Sequence, residues 1–180
     1  MVSVCVFCGS QPGNDPLHLQ AARQLGIDLA NEGHTLVYGG GSVGMMGAIA
    51  DSMLQRNGTV IGVIPEALAN VEMMHSRVTD MRIVADMHIR KATMHALADC
   101  YLALPGGYGT MEELFEALCW AQLEFHSAPV ALLNIAGVYD GLLKLIDDMT
   151  SQGFLTPRHR EILSSLNSVE AVNEWLQGLS

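Results

Sequence analysis

Pro105-Gly106-Gly107-Tyr108-Gly109-Thr110-Met111-Glu112-Glu113 follows a short apolar run, Cys100–Leu104, and precedes a helical pattern. A strand therefore feeds a glycine-rich turn that opens onto a helix N-terminus. Glycines leave backbone N–H groups uncovered, and the amides and dipole of a helix start attract anions. Two glutamates placed where an anion should bind suggest a site that holds a phosphate on its backbone and uses a carboxylate for chemistry beside it. Glu113 also has a purely structural reading. Thr110-Met111-Glu112-Glu113 fits a capping box, with Thr110 at the N-cap and Glu113 reaching back from N3.

A second group, Asp86-Met87-His88-Ile89-Arg90-Lys91, starts another predicted helix. It crowds positive charge into a first turn, the unfavourable end of the dipole. Either these side chains are simply solvated, or Arg90 pairs with a carboxylate or phosphate, which its planar fork suits. A third group, Gly39-Gly40-Gly41-Ser42-Val43-Gly44, formally satisfies G-x-G-x-x-G after a strand. A dinucleotide site would add an acidic residue after the next strand, where Glu66 stands, but its fingerprint usually ends the first strand rather than the second. Tight-turn packing without a ligand is the plain alternative.

Other chemistries find less support. Cys5 and Cys8 match C-x-x-C but fall in a strand, where positions three apart face opposite sides, and Cys100 and Cys119 add no pair of ligand spacing. His88 and His95 lie two turns apart, too far to chelate one ion, so no metal is expected. Lys91 lacks the other elements of a pyridoxal-phosphate site, and no cofactor is expected. The net charge of −10 disfavours nucleic acid or an anionic membrane as partner. No transmembrane span or signal peptide is visible, and the four cysteines form no disulfide framework, so a cytoplasmic location is expected.

The elements that must position these residues alternate along the chain. Strands are predicted at Val2–Cys8, His34–Tyr38, Thr59–Ile64, Arg82–Val84, Cys100–Leu104 and Pro129–Asn134. Helices are predicted from Asp15 to about Asn31, after Gly44 to about Gln55, over Met87–Ala98, Thr110–Glu124 and Tyr139–Ser151, and near Pro157–Ser164 and Val169–Gly178. Glu66–Thr79 reads as a loop or lid. At 49% hydrophobic and 16% charged residues, the chain suits a buried parallel sheet better than a solvated bundle. The expected fold is α/β, a Rossmann-like doubly wound parallel sheet with helices on both faces, in one domain over residues 1–180. The glycine turns at Gly9-Ser10, Gly39–Gly44 and Gly106–Gly109 all fall at strand carboxyl ends and should converge on one crevice.

Taken together, these residues resemble the Lonely Guy (LOG) family of cytokinin-activating phosphoribohydrolases, some members of which were once labelled lysine decarboxylases. The resemblance rests on P-G-G-x-G-T-x-x-E, met by Pro105, Gly106, Gly107, Gly109, Thr110 and Glu113, and extends from Val4–Ser10 to Gln152–Leu155. Val37–Gly44, Ala85–Lys91 and Trp120-Ala121-Gln122 also look like that family. The resemblance implies hydrolysis of an N6-modified adenosine 5′-monophosphate to free base and ribose 5-phosphate. It implies Arg90 and Glu113 as catalytic residues. It implies substrate contacts at Glu72, Arg90, Lys91, Gly106, Gly107, Tyr108, Gly109, Thr110, Met111 and Glu112, and the glycine loops add Gly40, Gly41 and Ser10. It further implies a homodimer or higher homo-oligomer whose partner completes the site, with the Trp120 helix at the interface. Met45, Ser127-Ala128 and Met73–Arg77 depart from the family's usual residues and bear on base specificity.

The chemistry agrees with that implication. Breaking a ribosyl N–C bond builds positive charge on the sugar, which a carboxylate near the anomeric carbon stabilises while it orients or deprotonates water. Arg90 has three open roles: pairing with Glu113, keeping it ionised, or binding the ribose phosphate. A less selective AMP-cleaving enzyme and a nucleotide-binding module without turnover remain as alternatives.

Overall fold

A computed structural model describes residues 1–69 and 73–179. Seven parallel strands form one sheet in the order β4-β3-β2-β1-β5-β6-β7, comprising β1 (Ser3–Phe7), β2 (Thr35–Tyr38), β3 (Thr59–Pro65), β4 (Asp80–Val84), β5 (Cys100–Ala103), β6 (Val130–Leu133) and β7 (Leu163–Leu166). The helices are α1 (Pro16–Asn31), α2 (Gly44–Leu54), α3 (Glu66–Ala69), α4 (Met87–Leu97), α5 (Tyr108–Gln122), α6 (Asp140–Ser151), α7 (Pro157–Arg160) and α8 (Val169–Gln177). The expected doubly wound sheet is therefore present.

Strand alternation sorts the core into two layers. Val4 and Val6 of β1 pack with α1, α2 and α8 on one face. Cys5 and Phe7 pack with Met94 of α4, Leu114 and Ala117 of α5 and Ile146 of α6 on the other. Cys5 lies in that second layer and Cys8 packs against the first, so the two thiols do face opposite sides.

β1 is flanked by β2 on one side and β5 on the other, with Val6 opposite Tyr38 and Phe7 opposite Ala103. The chain winds from β1 towards β4 in one direction and returns through α4 to β5 in the other. Helices diverge at this reversal, and a crevice opens at the strand carboxyl ends. Its flanking helices start where local chemistry allows. Asp15 caps α1 by accepting from Leu17 N at 2.9 Å, and Asp86 caps α4 by accepting from Ile89 N at 2.8 Å.

Three local expectations differ from the structure. Leu163–Leu166, read as the end of a helix, is the edge strand β7, paired to β6 from Val130↔Leu163 to Leu133↔Leu166. A four-residue strand with two serines in it has no periodicity of its own, and only the open edge of β6 selects it. Glu66–Ala69 of the supposed loop forms the short helix α3. Most consequentially, α5 begins at Tyr108 with Gly107 at the N-cap and no side-chain cap, so Thr110 and Glu113 form no capping box.

Candidate active site

Glu113 sits six positions into α5, beyond the reach of any N-terminal amide, and its side chain is turned into the crevice with only 12% of its surface exposed. Arg90 of α4 approaches from the other side of the opening and is 7% exposed. Its fork is aimed by backbone: Nε donates to Val63 O at 3.1 Å and Nη2 to Gly39 O at 3.3 Å. Nη2 then lies 4.0 Å from Glu113 Oε1. That separation is too long for a hydrogen bond, so the pairing is coulombic, and in a largely desolvated cleft it is weakly screened. The solvated reading of Arg90 is thereby overturned. The approach also explains Gly39, because a Cβ there would stand 2.2 Å from Arg90 Nη2.

The crevice holds about 200 Å³ and is lined by Val6, Cys8, Gly9, Ser10, Gly39, Met46, Arg90, Gly107, Tyr108, Gly109, Thr110 and Glu113. One wall is the start of α5. The first bond of that helix runs from Met111 N to Gly107 O at 3.1 Å, so the amides of Tyr108, Gly109 and Thr110 have no intrahelical acceptor. These residues lie beside the Glu113 carboxylate in the lining of the crevice. A Cβ on Gly107 or Gly109 would meet nothing within 4 Å, whereas one on Gly106 would stand 2.0 Å from Thr110 Oγ1. Gly106 lets the turn close against its own helix, and Gly107 and Gly109 leave room for a ligand.

The Gly39–Gly44 loop behaves differently. Met45 N and Met46 N, at the start of α2, donate to Gly9 O at 3.1 and 3.3 Å. Those amides are therefore occupied by protein, and a Cβ on Gly44, whose φ is +61°, would meet Ser10 C at 2.3 Å. Gly40 and Gly41 are buried away from the crevice under residues 73–75, with His75 N donating to Gly40 O at 2.9 Å and a bridge joining Gly41 to Met74. In this loop Gly44 serves close packing of β1's turn against α2.

Of the residues expected from sequence, Ser10, Arg90, Gly107, Tyr108, Gly109, Thr110 and Glu113 come together in the crevice. Gly106 lines an adjoining apolar recess with Met45, Pro105 and Val138. Met111 packs into the core, and Lys91 and Glu112 pair with each other outside the crevice. Glu72 lies outside the described residues. Gly9 and Gly39 lie in turns expected to meet at the crevice and do line it, whereas Val6, Cys8 and Met46 were missed.

Two pKa shifts describe the chemistry. Burial, and then the charge of Glu113, push the Cys8 thiol well above its ordinary range, so it stays protonated and is no nucleophile. For Lys91, burial pulls downward, but hydrogen bonds to Glu112 and Glu116 outweigh it and the net shift is upward. An amine held charged in this way is unsuited to Schiff-base chemistry. Among the described residues no group of three or more His, Cys, Asp or Glu side chains is placed to hold a metal ion.

Residues 46–176 match a family model described as "Possible lysine decarboxylase". The chain is 51% identical over 162 residues to the probable cytokinin riboside 5′-monophosphate phosphoribohydrolase LOGL1 of Oryza sativa subsp. japonica, covering 90% of this chain and 73% of that protein. It is 45% identical over 174 residues to cytokinin riboside 5′-monophosphate phosphoribohydrolase LOG1 of Arabidopsis thaliana, covering 97% and 82%. The chain belongs to the LOG family. Its fold is shared more widely. The molybdenum cofactor binding protein of Rippkaea orientalis superposes with a TM-score of 0.73 at 24% identity, covering 99% of this LOG chain and 96% of that one. The Moco carrier protein of Chlamydomonas reinhardtii does so with a TM-score of 0.73 at 20% identity, with the same coverage. At such identities the likeness is one of architecture.

Proposed function

We propose that this protein hydrolyses the N-glycosidic bond of N6-modified adenosine 5′-monophosphates, releasing the free cytokinin base and ribose 5-phosphate. The observation that carries this reading is the Arg90–Glu113 pair beside the open amide end of α5, in a chain about half identical to enzymes named for that reaction.

In this reading the 5′-phosphate rests on the amides of Tyr108, Gly109 and Thr110, which hold the sugar in place by binding energy remote from the breaking bond. The N–C1′ bond breaks with its electron pair leaving on the base, and C1′ becomes cationic. Glu113 stabilises that charge and takes a proton from the water whose oxygen bonds to C1′, and one proton passes to the departing base, so that neutral base leaves and the carboxylate is restored. Arg90 keeps Glu113 ionised through the reaction.

The test is incubation of the purified chain with isopentenyl-AMP, AMP and the corresponding nucleosides, with chromatographic measurement of base and ribose 5-phosphate. Both products should appear in equal amounts from a monophosphate and not from the nucleosides. Failure to release base from any monophosphate would defeat the proposal. Equal kcat/KM on AMP and isopentenyl-AMP would replace it with a less selective AMP nucleosidase.

The protein is further proposed to act as a homodimer or larger homo-oligomer. Support comes from α5 and its exit, where Phe115, Leu123 and Phe125 are 38%, 54% and 73% exposed near Trp120. A monomer by light scattering at working concentration would contradict it.

A further inference from the structure

Glu116 lies one turn after Glu113 on α5 and was not singled out from sequence. Its Oε2 accepts from Lys91 Nζ at 2.6 Å, and its Oε1 contacts His95 Nε2 at 3.3 Å. His95 Nδ1 meets Tyr101 OH at 2.7 Å, and its ring stacks on Trp120 at 4.4 Å between centroids. Since a carboxylate only accepts, Nε2 carries the imidazole hydrogen and Nδ1 accepts from the tyrosine hydroxyl. Burial also holds His95 below its ordinary pKa despite Glu116, so the 3.3 Å contact is a hydrogen bond from a neutral ring rather than an ion pair.

This group shares one space with the reacting carboxylate. A narrow recess is lined by Lys91, Met94, His95, Glu113 and Glu116 above Cys5 and Phe7. Two largely covered carboxylates, Glu113 and Glu116, 12% and 19% exposed, therefore stand near two largely covered cations, Arg90 and Lys91, and solvent screens them less than at the surface. Glu112 also binds Lys91, at 2.5 Å, but its side chain is half exposed. The backbones of α4 and α5 make little direct contact, so these side chains set the separation of the two helices.

We propose that Glu116 is a positioning residue of the hydrolytic site: by holding Lys91 it keeps that ammonium off Glu113 and leaves the reacting carboxylate to Arg90 and the sugar. Without the Glu116 charge, Lys91 keeps only the half-exposed Glu112, and Glu113, which lines the same recess, is the further carboxylate it can turn to. A carboxylate gripped by an ammonium is a poorer base and a poorer partner for a cationic sugar. This inference rests on the hydrolytic reading above.

The experiment compares wild type, Glu116→Gln, Lys91→Met and the double variant for isopentenyl-AMP hydrolysis, alongside a crystal structure of Glu116→Gln. Glu116→Gln should lower kcat roughly 10- to 100-fold with little change in KM. Its crystal structure should show Lys91 Nζ within about 3.2 Å of a Glu113 oxygen. The double variant removes both charges and should recover most of the lost kcat, whereas a purely structural network would make it slower than either single change. Unchanged kcat in Glu116→Gln, no recovery in the double variant, or Lys91 remaining clear of Glu113 in the crystal would each overturn the proposal. A wild-type chain that releases no base instead overturns the reading of function, and the crystal readout still decides the position of Lys91.

Discussion

Arg90 Nη2 stands 4.0 Å from Glu113 Oε1, across the opening between two helices that meet the sheet on opposite sides of its topological reversal. Neither residue owes its place to helix capping. Arg90 is aimed by the carbonyls of Val63 and Gly39, and Glu113 by its position six residues into α5. A charged pair held in a largely covered cleft is a candidate for the chemistry of the crevice.

Glu113→Gln keeps shape and helix but removes the negative charge. Melting temperature should change little, because no cap is lost, and kcat should fall on the order of 10²–10⁴-fold. Steady-state kinetics beside a thermal melt separates the two effects, and near-normal kcat would remove Glu113 from the mechanism.

Gly39→Ala alters no reacting group, yet its new methyl would stand 2.2 Å from Arg90 Nη2. The guanidinium must move, and displacement of about 1 Å in such a site costs on the order of 10²-fold in rate. Full activity in this variant would show that Arg90 does not need its observed position.

Gly106→Ala and Gly109→Ala should part company. The first drives a methyl into Thr110 Oγ1 and should lower both stability and turnover. The second meets no protein atom and, early in a helix, should hold or raise the melting temperature. Its methyl instead occupies the space proposed for the substrate's phosphate, so KM should rise severalfold. Isothermal titration with ribose 5-phosphate checks the second case directly, since unchanged affinity would move the anion away from α5.

His95 gives a pH dependence of stability. Its folded pKa lies below the ordinary 6.5, through burial first, with Glu116 opposing. The unfolded chain therefore binds a proton that the folded chain resists. Its contribution to stability is complete above about pH 6.5 and is lost progressively as pH falls below that value. Melting temperature should decline from pH 6.5 to 5 more steeply in wild type than in His95→Gln. Parallel curves would exclude His95 as a source.

The alternation of apolar runs with helical patterns determined the doubly wound sheet, because parallel strands and their crossovers carry local periodicity and glycine punctuation that survive in one dimension. The Pro105–Glu113 turn was legible for the same reason. Where α5 starts was not: Thr110 was read as the N-cap, and the start at Tyr108 moved Glu113 from a capping position into the crevice. Gly40 and Gly41, expected at the ligand, lie under residues 73–75 and do not line the crevice, with His75 N donating to Gly40 O. The pairing of Lys91 with Glu112 and Glu116 was not legible either. β7 existed only because β6 had an edge to fill. Each of these was decided by a partner far along the chain, and a hydrogen bond or ion pair between distant residues leaves no spacing in the sequence by which to read it.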